Sequence, residues 1–275
     1  MADAGVEERL SPGGGRVLAR RRRELIAAHV QRHGSVRVSE LTTELGVSDM
    51  TIRRDLEALT QQGLLTKVHG GATLTGDLPA TTLEPGFLAK SSEQTAEKEA
   101  IASGAAARVR PGTAIGLTAG TTTWHLATHL VDIADLVVIT NSIRIFETLL
   151  AHDRPHRNVM LVGGIRTPSD ALVGPLAVQA LATLHLDQVF LGVHGMTERS
   201  GYTTPNLLEA DTNRAFVEAS QRLVVVADHS KWNTVGLASI APLAAADTVV
   251  TDAGLSPAAV ERLRSHVDEV LVCVP

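Results

Sequence analysis

Between residues 38 and 72 the apolar positions change their spacing twice, and each change marks a new element. Leu41 and Leu45 stand four apart, the spacing of one helical face, with Ser39 placed to cap that helix. Gly46-Val47-Ser48 interrupts it, since Gly46 can take the left-handed conformation a sharp stop requires. Ile52, Leu56 and Leu59 then fall at i, i+4 and i+7 of a second helix capped by Ser48. That register leaves Met50, Thr51 and Arg54 on the solvent side and Arg53 on the flank. After Gly63 the period drops towards two: Leu64 to Val68 alternates as a strand, His69-Gly70-Gly71 turns, and Ala72-Thr73-Leu74 returns. An earlier helix is expected over 17–33, buried through Leu18, Leu25, Ile26 and Val30 and stopped by Gly34. Together these elements predict a winged helix-turn-helix over residues 16–74.

The pattern from residue 91 onwards is different. Continuous apolar runs predict strands at 114–118, 136–140, 159–162, 188–193, 223–227, 248–251 and 270–274. Runs of this kind suit strands covered on both faces. Helical stretches at 94–109, 123–130, 143–151, 175–184 and 209–219 separate them, which predicts an α/β domain with a mainly parallel sheet over 91–275. Residues 1–15 carry Pro12 and four glycines without periodicity and read as a disordered lead-in; 75–90 reads as a polar linker.

Charge separates the two regions further. The whole chain carries −5, but residues 16–67 hold ten Lys/Arg against six Asp/Glu, and residues 68–275 hold fourteen against twenty-one. A basic head on an acidic body is expected where only the head meets a polyanion. A short exposed helix with arginines near its start fits a major groove, where its N-terminal residues reach base edges. Ser48, Met50, Thr51, Arg53 and Arg54 are therefore the candidate recognition residues, and Lys67 and His69 the candidate phosphate contacts on the wing. Arg20–Arg23 lies at a helix start, where the dipole disfavours positive charge, and is read as a solvated run or, alternatively, as one that a DNA backbone compensates. The single cysteine, Cys273, excludes an internal disulfide framework and suits a cytoplasmic protein. No apolar run has the length of a membrane span, and Gln31-Arg32-His33 cuts short the segment that superficially resembles a secretory signal.

Candidate chemistry in the body gathers at strand ends. Ala119-Gly120-Thr121-Thr122-Thr123 links a strand to a helix, and a small-residue turn at a helix N-terminus presents N–H groups and positive dipole to a phosphate. An ordinary strand-to-helix turn with threonine caps would look the same. Neither a Walker A loop nor a dinucleotide fingerprint is present. Asn141, Gly163, Gly164 with Arg166, Gly192 and Lys231 follow other strands, and in open α/β sheets such ends can converge on one pocket. His125 and His129 stand at i, i+4 without an acidic neighbour in sequence, and no metal site or cofactor is expected from them.

TIRRDLEAL with Gly63-Leu64-Leu65 and HGGA resembles the DNA-binding signature of the DeoR family of bacterial transcriptional regulators. TAGTTTWHLATHL, VVITNS, LVGGIR, VFLGVHG, GYTTPNLLEA and VVVADHSKW resemble the successive motifs of that family's effector domain. The resemblance implies a domain similar in fold to ribose-5-phosphate isomerase that senses a phosphorylated sugar. A DNA-binding regulator, expected to be a repressor, follows from it; because one small head makes limited base contact, a homo-oligomer that pairs heads on double-stranded operator DNA is expected. By the same resemblance the phosphate would sit on Gly120, Thr121, Thr122 and Thr123, with Asn141 and Lys231 nearby. The chain departs where the family carries a lysine: Asn213 stands there, followed by Arg214, which becomes a candidate ligand contact in its place. The rival reading is a sugar-phosphate isomerase with an appended DNA-binding head. Matching the isomerase motifs puts Leu191, His194, Gly195 and Asn213 where acids would be needed, so a non-catalytic sensor is expected.

Overall fold

The structure is a computed structural model and describes residues 19–33, 35–61, 64–68, 71–74, 87–152, 154 and 156–275. It divides into two compact units, Met1–Asp77 and Leu78–Pro275.

The smaller unit contains α1 (Ala19–His33), β1 (Ser35–Arg37), α2 (Val38–Leu45), α3 (Asp49–Gln61), β2 (Leu65–Val68) and β3 (Gly71–Leu74). Ile26, Val30, Leu41, Ile52, Leu56, Leu59 and Leu65 are all buried in its core, at about 1.5–3 kcal/mol for each large side chain. Gly46 ends α2 with φ +62°, as the turn demands. Two local expectations change. Val38 opens α2, so Ser39 lies inside the helix instead of capping it. The wing is a three-stranded sheet in the order β1-β3-β2, because the three residues after α1 pair with β3. The lead-in, His69 and most of the linker lie outside the described residues.

The arginine run is also different from expectation. Arg22 is 7% exposed, and its Nε donates to Asp55 of α3 at 2.5 Å, with Arg23 Nε 3.3 Å from the same carboxylate. Part of the run is therefore an internal clamp between α1 and α3. A buried carboxylate four residues before Leu59 supplies the compensation that the helix dipole withholds.

The larger unit begins with α4 (Phe87–Ser91) and α5 (Thr95–Ala106), then β4 (Ala114–Leu117), α6 (Thr121–His129), β5 (Val137–Thr140), α7 (Ile143–Ala151) and β6 (Asn158–Leu161). It continues with β7 (Ile165–Arg166), β8 (Leu172–Val173), α8 (Pro175–Leu181), β9 (Gln188–Gly192), β10 (Gly195–Thr197), β11 (Gly201–Thr204) and α9 (Leu207–Glu218). Last come β12 (Leu223–Val226), β13 (Ala238–Ala241), β14 (Thr248–Asp252), α10 (Pro257–Arg264) and β15 (Glu269–Cys273).

All seven strands expected from apolar runs enter one sheet, in the order β15-β14-β12-β9-β4-β5-β6, and every pairing in it is parallel. Alternate residues go to opposite faces, as the pleat requires. Val189, Leu191, Val225 and Val249 join one core with Leu181, Phe216 and Leu263. Phe190, Val224, Val226 and Val250 join the other with Ile101, Leu126 and Ile145. Helices α5, α6 and α7 thus cover one face, and α8, α9 and α10 the other.

The short strands β7–β8 and β10-β11-β13 form small antiparallel sheets that no long apolar run announced. From β4 the chain proceeds outward through β5 and β6, then returns to β4's other side at β9 and proceeds the opposite way. The order therefore reverses between β4 and β9, the position where open α/β sheets leave a crevice at their carboxyl ends.

Candidate effector pocket and recognition helix

The crevice is present. A cleft of about 710 Å³, counted with its open mouth, is lined by the loops after β4 and β9. Ala119, Gly120, Thr121 and Thr122 form one side, with Gly192, Val193 and His194 beside them and Lys231 near. Thr121 and Thr122 open α6, and the first N–H groups of a helix have no carbonyl within it to meet. The loop is held in place from behind. Asn141 Oδ1 accepts from Ala119 N at 2.8 Å while its Nδ2 donates to Leu172 O at 3.2 Å. Gly192 N donates to Thr118 Oγ1 at 3.0 Å, which ties the two loops together.

Lys231 stands on a short turn after β12, with Nζ 3.7 Å from Oδ2 of the fully buried Asp228. Asp228 Oδ1 accepts from Ser230 N at 3.0 Å and from the Ser230 hydroxyl, so the turn's own residues fix the carboxylate.

Of the sequence candidates, Gly120, Thr121, Thr122, Gly192 and Lys231 line the cleft. Five others do not. Thr123 is fully buried and donates to Gly120 O at 3.0 Å, closing the helix's first turn. Asn141 supports the loop from outside, as described. Gly163 and Gly164 form the turn into β7. There Gly164 has φ +141°, and a Cβ would lie 2.4 Å from Val173 O, so its glycine serves a close backbone approach. Arg214 points away, to Asp211 and Ser239 O. It cannot stand in for a lysine at Asn213, which does line the cleft.

Other residues that line the cleft are absent from the candidate set. Glu209 of α9 faces the cleft and accepts from Ser169 Oγ and Thr204 Oγ1, both at 2.8 Å. It lies one helical turn before Asn213, so the matched positions lack a carboxylate while the preceding turn of α9 supplies one. Lys98 of α5, with Lys90 and Phe87 of α4, also lines it. Lys98 is 2% exposed, and Nζ donates to Lys90 O at 2.6 Å and Glu93 O at 2.5 Å. Burial lowers its pKa, and the nearby Asp228 only partly offsets that effect. In sequence only Glu209 had a signal, its place in the GYTTPNLLEA stretch.

The two histidines of α6 do have an acidic partner, from α5. His125 Nδ1 lies 3.0 Å and His129 Nε2 2.7 Å from the two carboxylate oxygens of Glu99. The three residues clamp α5 to α6, and among the described residues no group of three or more His, Cys, Asp or Glu is arranged to hold a metal.

In the head, α3 presents its start as expected. Ser48 Oγ accepts from Thr51 N at 3.4 Å and lies 2.9 Å from Thr51 Oγ1. Met50 is 65% exposed, and Arg53 and Arg54 are exposed. Arg53 is already engaged, its Nε donating to Asp49 at 2.7 Å. Lys67 lies on β2.

Comparison with known proteins agrees with both halves. Residues 22–76 match the family model of the DeoR-like helix-turn-helix domain, and residues 93–253 that of the DeoR C terminal sensor domain. The regulator YgbI of Escherichia coli K12 is 36% identical, over 86% of this chain and 91% of its own length. The HTH-type transcriptional repressor CsqR of the same strain is 31% identical over 88% and 91%. The glycerol-3-phosphate regulon repressor, also from that strain, is 28% identical over 89% and 95%. Among solved structures, ribose 5-phosphate isomerase A of Methanocaldococcus jannaschii is 16% identical, with a TM-score of 0.36 over 49% of this chain and 53% of that one. The fold assignment rests on the sheet itself. With a winged head, a parallel-sheet body and both family models matched in order, this chain belongs to the DeoR family of transcriptional regulators.

Proposed function

We propose that this protein represses genes of carbohydrate metabolism from an operator in double-stranded DNA, and that a phosphorylated sugar in the cleft releases it. The observation that carries this reading is the convergence of Gly120, Thr121, Thr122 and Lys231 on one cleft that Glu209 and Asn213 also line. Free helix N–H groups, two hydroxyls and a cation suit a phosphate. A carboxylate and an amide in the same cleft suit the hydroxyls of a small polyol, since an ionised carboxylate only accepts. The name of the glycerol-3-phosphate regulon repressor supports a ligand of this class.

Arg54, Met50, Thr51 and Ser48 contact base edges in this reading, with Arg53 and the wing residues Lys67 and His69 at the backbone. One small head makes limited base contact, so homo-oligomers place two heads on repeated half-sites. The protein acts in the cytoplasm, where its DNA is. The domain limits follow as 16–74 for the DNA-binding domain and 91–275 for effector binding and assembly.

Regulation is linkage: the ligand must favour the DNA-free arrangement, and a tenfold change in operator affinity needs about 1.4 kcal/mol of coupling. The test is selection of bound genomic fragments, then release with a panel of phosphorylated sugars and polyols. Retention of a fragment and its release by one of the panel is the expected result. A protein that retains no fragment, or that turns over such a compound, would overturn the reading.

A further inference from the structure

A lysine ammonium is rarely buried as deeply as that of Lys98 without a carboxylate in hydrogen-bond contact. Its hydrogen-bond partners are two main-chain carbonyls, Lys90 O in α4 and Glu93 O in the turn that follows. The same side chain lines the cleft that receives the anion, and so do Phe87 and Lys90 themselves. Helix α4 is thus a wall of the cleft and is fastened by a cation that faces it. Gln94, the residue that joins α4 and its turn to α5, has φ +48°, a left-handed joint in a non-glycine residue. Another fastening of α4 is Phe87, edge-on to Trp124 at 5.8 Å and beneath the guanidinium of Arg144 at 5.7 Å. In chain order α4 is also the first described element after the unit that carries the DNA-binding head.

We propose that Lys98 is the residue through which the cleft is read out: a phosphate entering it draws the ammonium off the Lys90 and Glu93 carbonyls and so loosens α4 from the body. The physical ground is competition for one donor. The ammonium is an ionised donor in either case, but a dianionic phosphate adds an ionised acceptor, which attracts it more strongly than a neutral carbonyl does. The two carbonyls then lose the ammonium together, and α4 loses this tie to α5 while its Phe87 anchor remains. Lys98 is in this sense a positioning residue, acting on the operator through α4 and the segment that follows the head. The inference rests on the sensor reading above and adds its output to it.

The test uses the full chain carrying Trp232→Phe, which leaves Trp124 as the remaining tryptophan and as a reporter of Phe87. Ribose 5-phosphate, glycerol 3-phosphate and inorganic phosphate are titrated by calorimetry, by Trp124 emission, and by release of a selected genomic fragment. Where calorimetry detects binding, the parent shifts its emission and releases the fragment. Lys98→Met, close in length and without charge, binds more weakly, by about tenfold. At saturation it leaves both emission and fragment unchanged. Lys231→Met also binds more weakly but still gives the full emission change at saturation. In the unsubstituted chain, which removes any question of misfolding, amide exchange over residues 87–94 speeds up on binding.

If Lys98→Met at saturation shifts and releases like the parent, or if exchange over 87–94 does not change, Lys98 is not the readout and the sensor reading survives. If calorimetry detects none of the three probes, the phosphate-sensing reading falls and takes this inference with it.

Discussion

The head and the body use buried charge in opposite ways. In the head, Arg22 and Asp55 are buried together and meet at 2.5 Å, so the pair joins α1 to α3 and leaves the function to the exposed start of α3. In the body, Lys98 is buried against neutral carbonyls, and the charge it carries faces the cleft. A paired charge fixes an arrangement; an underpaired one makes it sensitive to whatever anion arrives. In the proposed reading the difference separates a rigid recognition surface from a responsive chamber within one chain.

Substitutions that break this contrast differ in size. The largest effect is expected from Asp55→Ala, which strands Arg22 in the head core at about 3–5 kcal/mol. Chemical denaturation should show an early transition for the head alone, with the body's transition unmoved. Next comes Thr121→Phe, which fills the mouth of the phosphate loop. Apparent effector affinity should fall by at least about a hundredfold, roughly 2.7 kcal/mol, while fragment binding without effector stays as it was. Calorimetry against the same fragment-release assay separates the two.

Arg54→Ala should cost about 1–3 kcal/mol in operator affinity and relax preference at one base position. Arg53→Ala, already tied to Asp49 at 2.7 Å, should cost less in a parallel gel-shift titration. An equal loss for both would move the recognition surface round to the flank of α3.

The smallest effect concerns pH. Burial pushes the Asp170 carboxyl up, but hydrogen bonds from Arg166 and Arg144 outweigh it and hold the group below its ordinary 3.8. A depressed carboxylate contributes its stability above the unfolded value and loses it as pH falls through the folded one. Below about pH 4 the body should therefore weaken. Asp170→Asn should flatten that part of the stability curve, measured by urea unfolding at stepped pH.

Much of this was readable from short-range pattern. Ile52, Leu56 and Leu59 share a helical face whatever surrounds them, so the exposure of Met50 and Arg54 follows from the same spacing. Apolar runs such as 223–226 are continuous because both faces of the sheet are covered, and all seven of them are strands of one sheet. The Gly120–Thr122 loop was legible because a small-residue turn between strand and helix has few other forms.

Other residues gave no such signal. Lys98 stands in TAEKEAIASGAA, where a lysine reads as solvated; the α4–α5 corner buries it by folding two carbonyls over its end. Arg22 was one of four arginines until Asp55, 33 positions away, singled it out. Gly163 and Gly164 looked like loop chemistry but serve the turn against Val173. Asn213 faces the cleft and Arg214 does not, because one residue along α9 is about 100° of rotation and only packing sets its phase.

The residue order alone thus determined the helix-turn-helix, the seven strands of the main sheet, which helix carries the candidate recognition residues, and which turn has the form that suits a phosphate. These depend on interactions within a few residues, where spacing and backbone preference dominate. The tertiary structure decided which strand ends adjoin, because the sheet order reverses between β4 and β9 and aligns loops more than seventy positions apart. It also decided which charges lose their water, since desolvation depends on every element packed around a side chain and not on its neighbours in sequence.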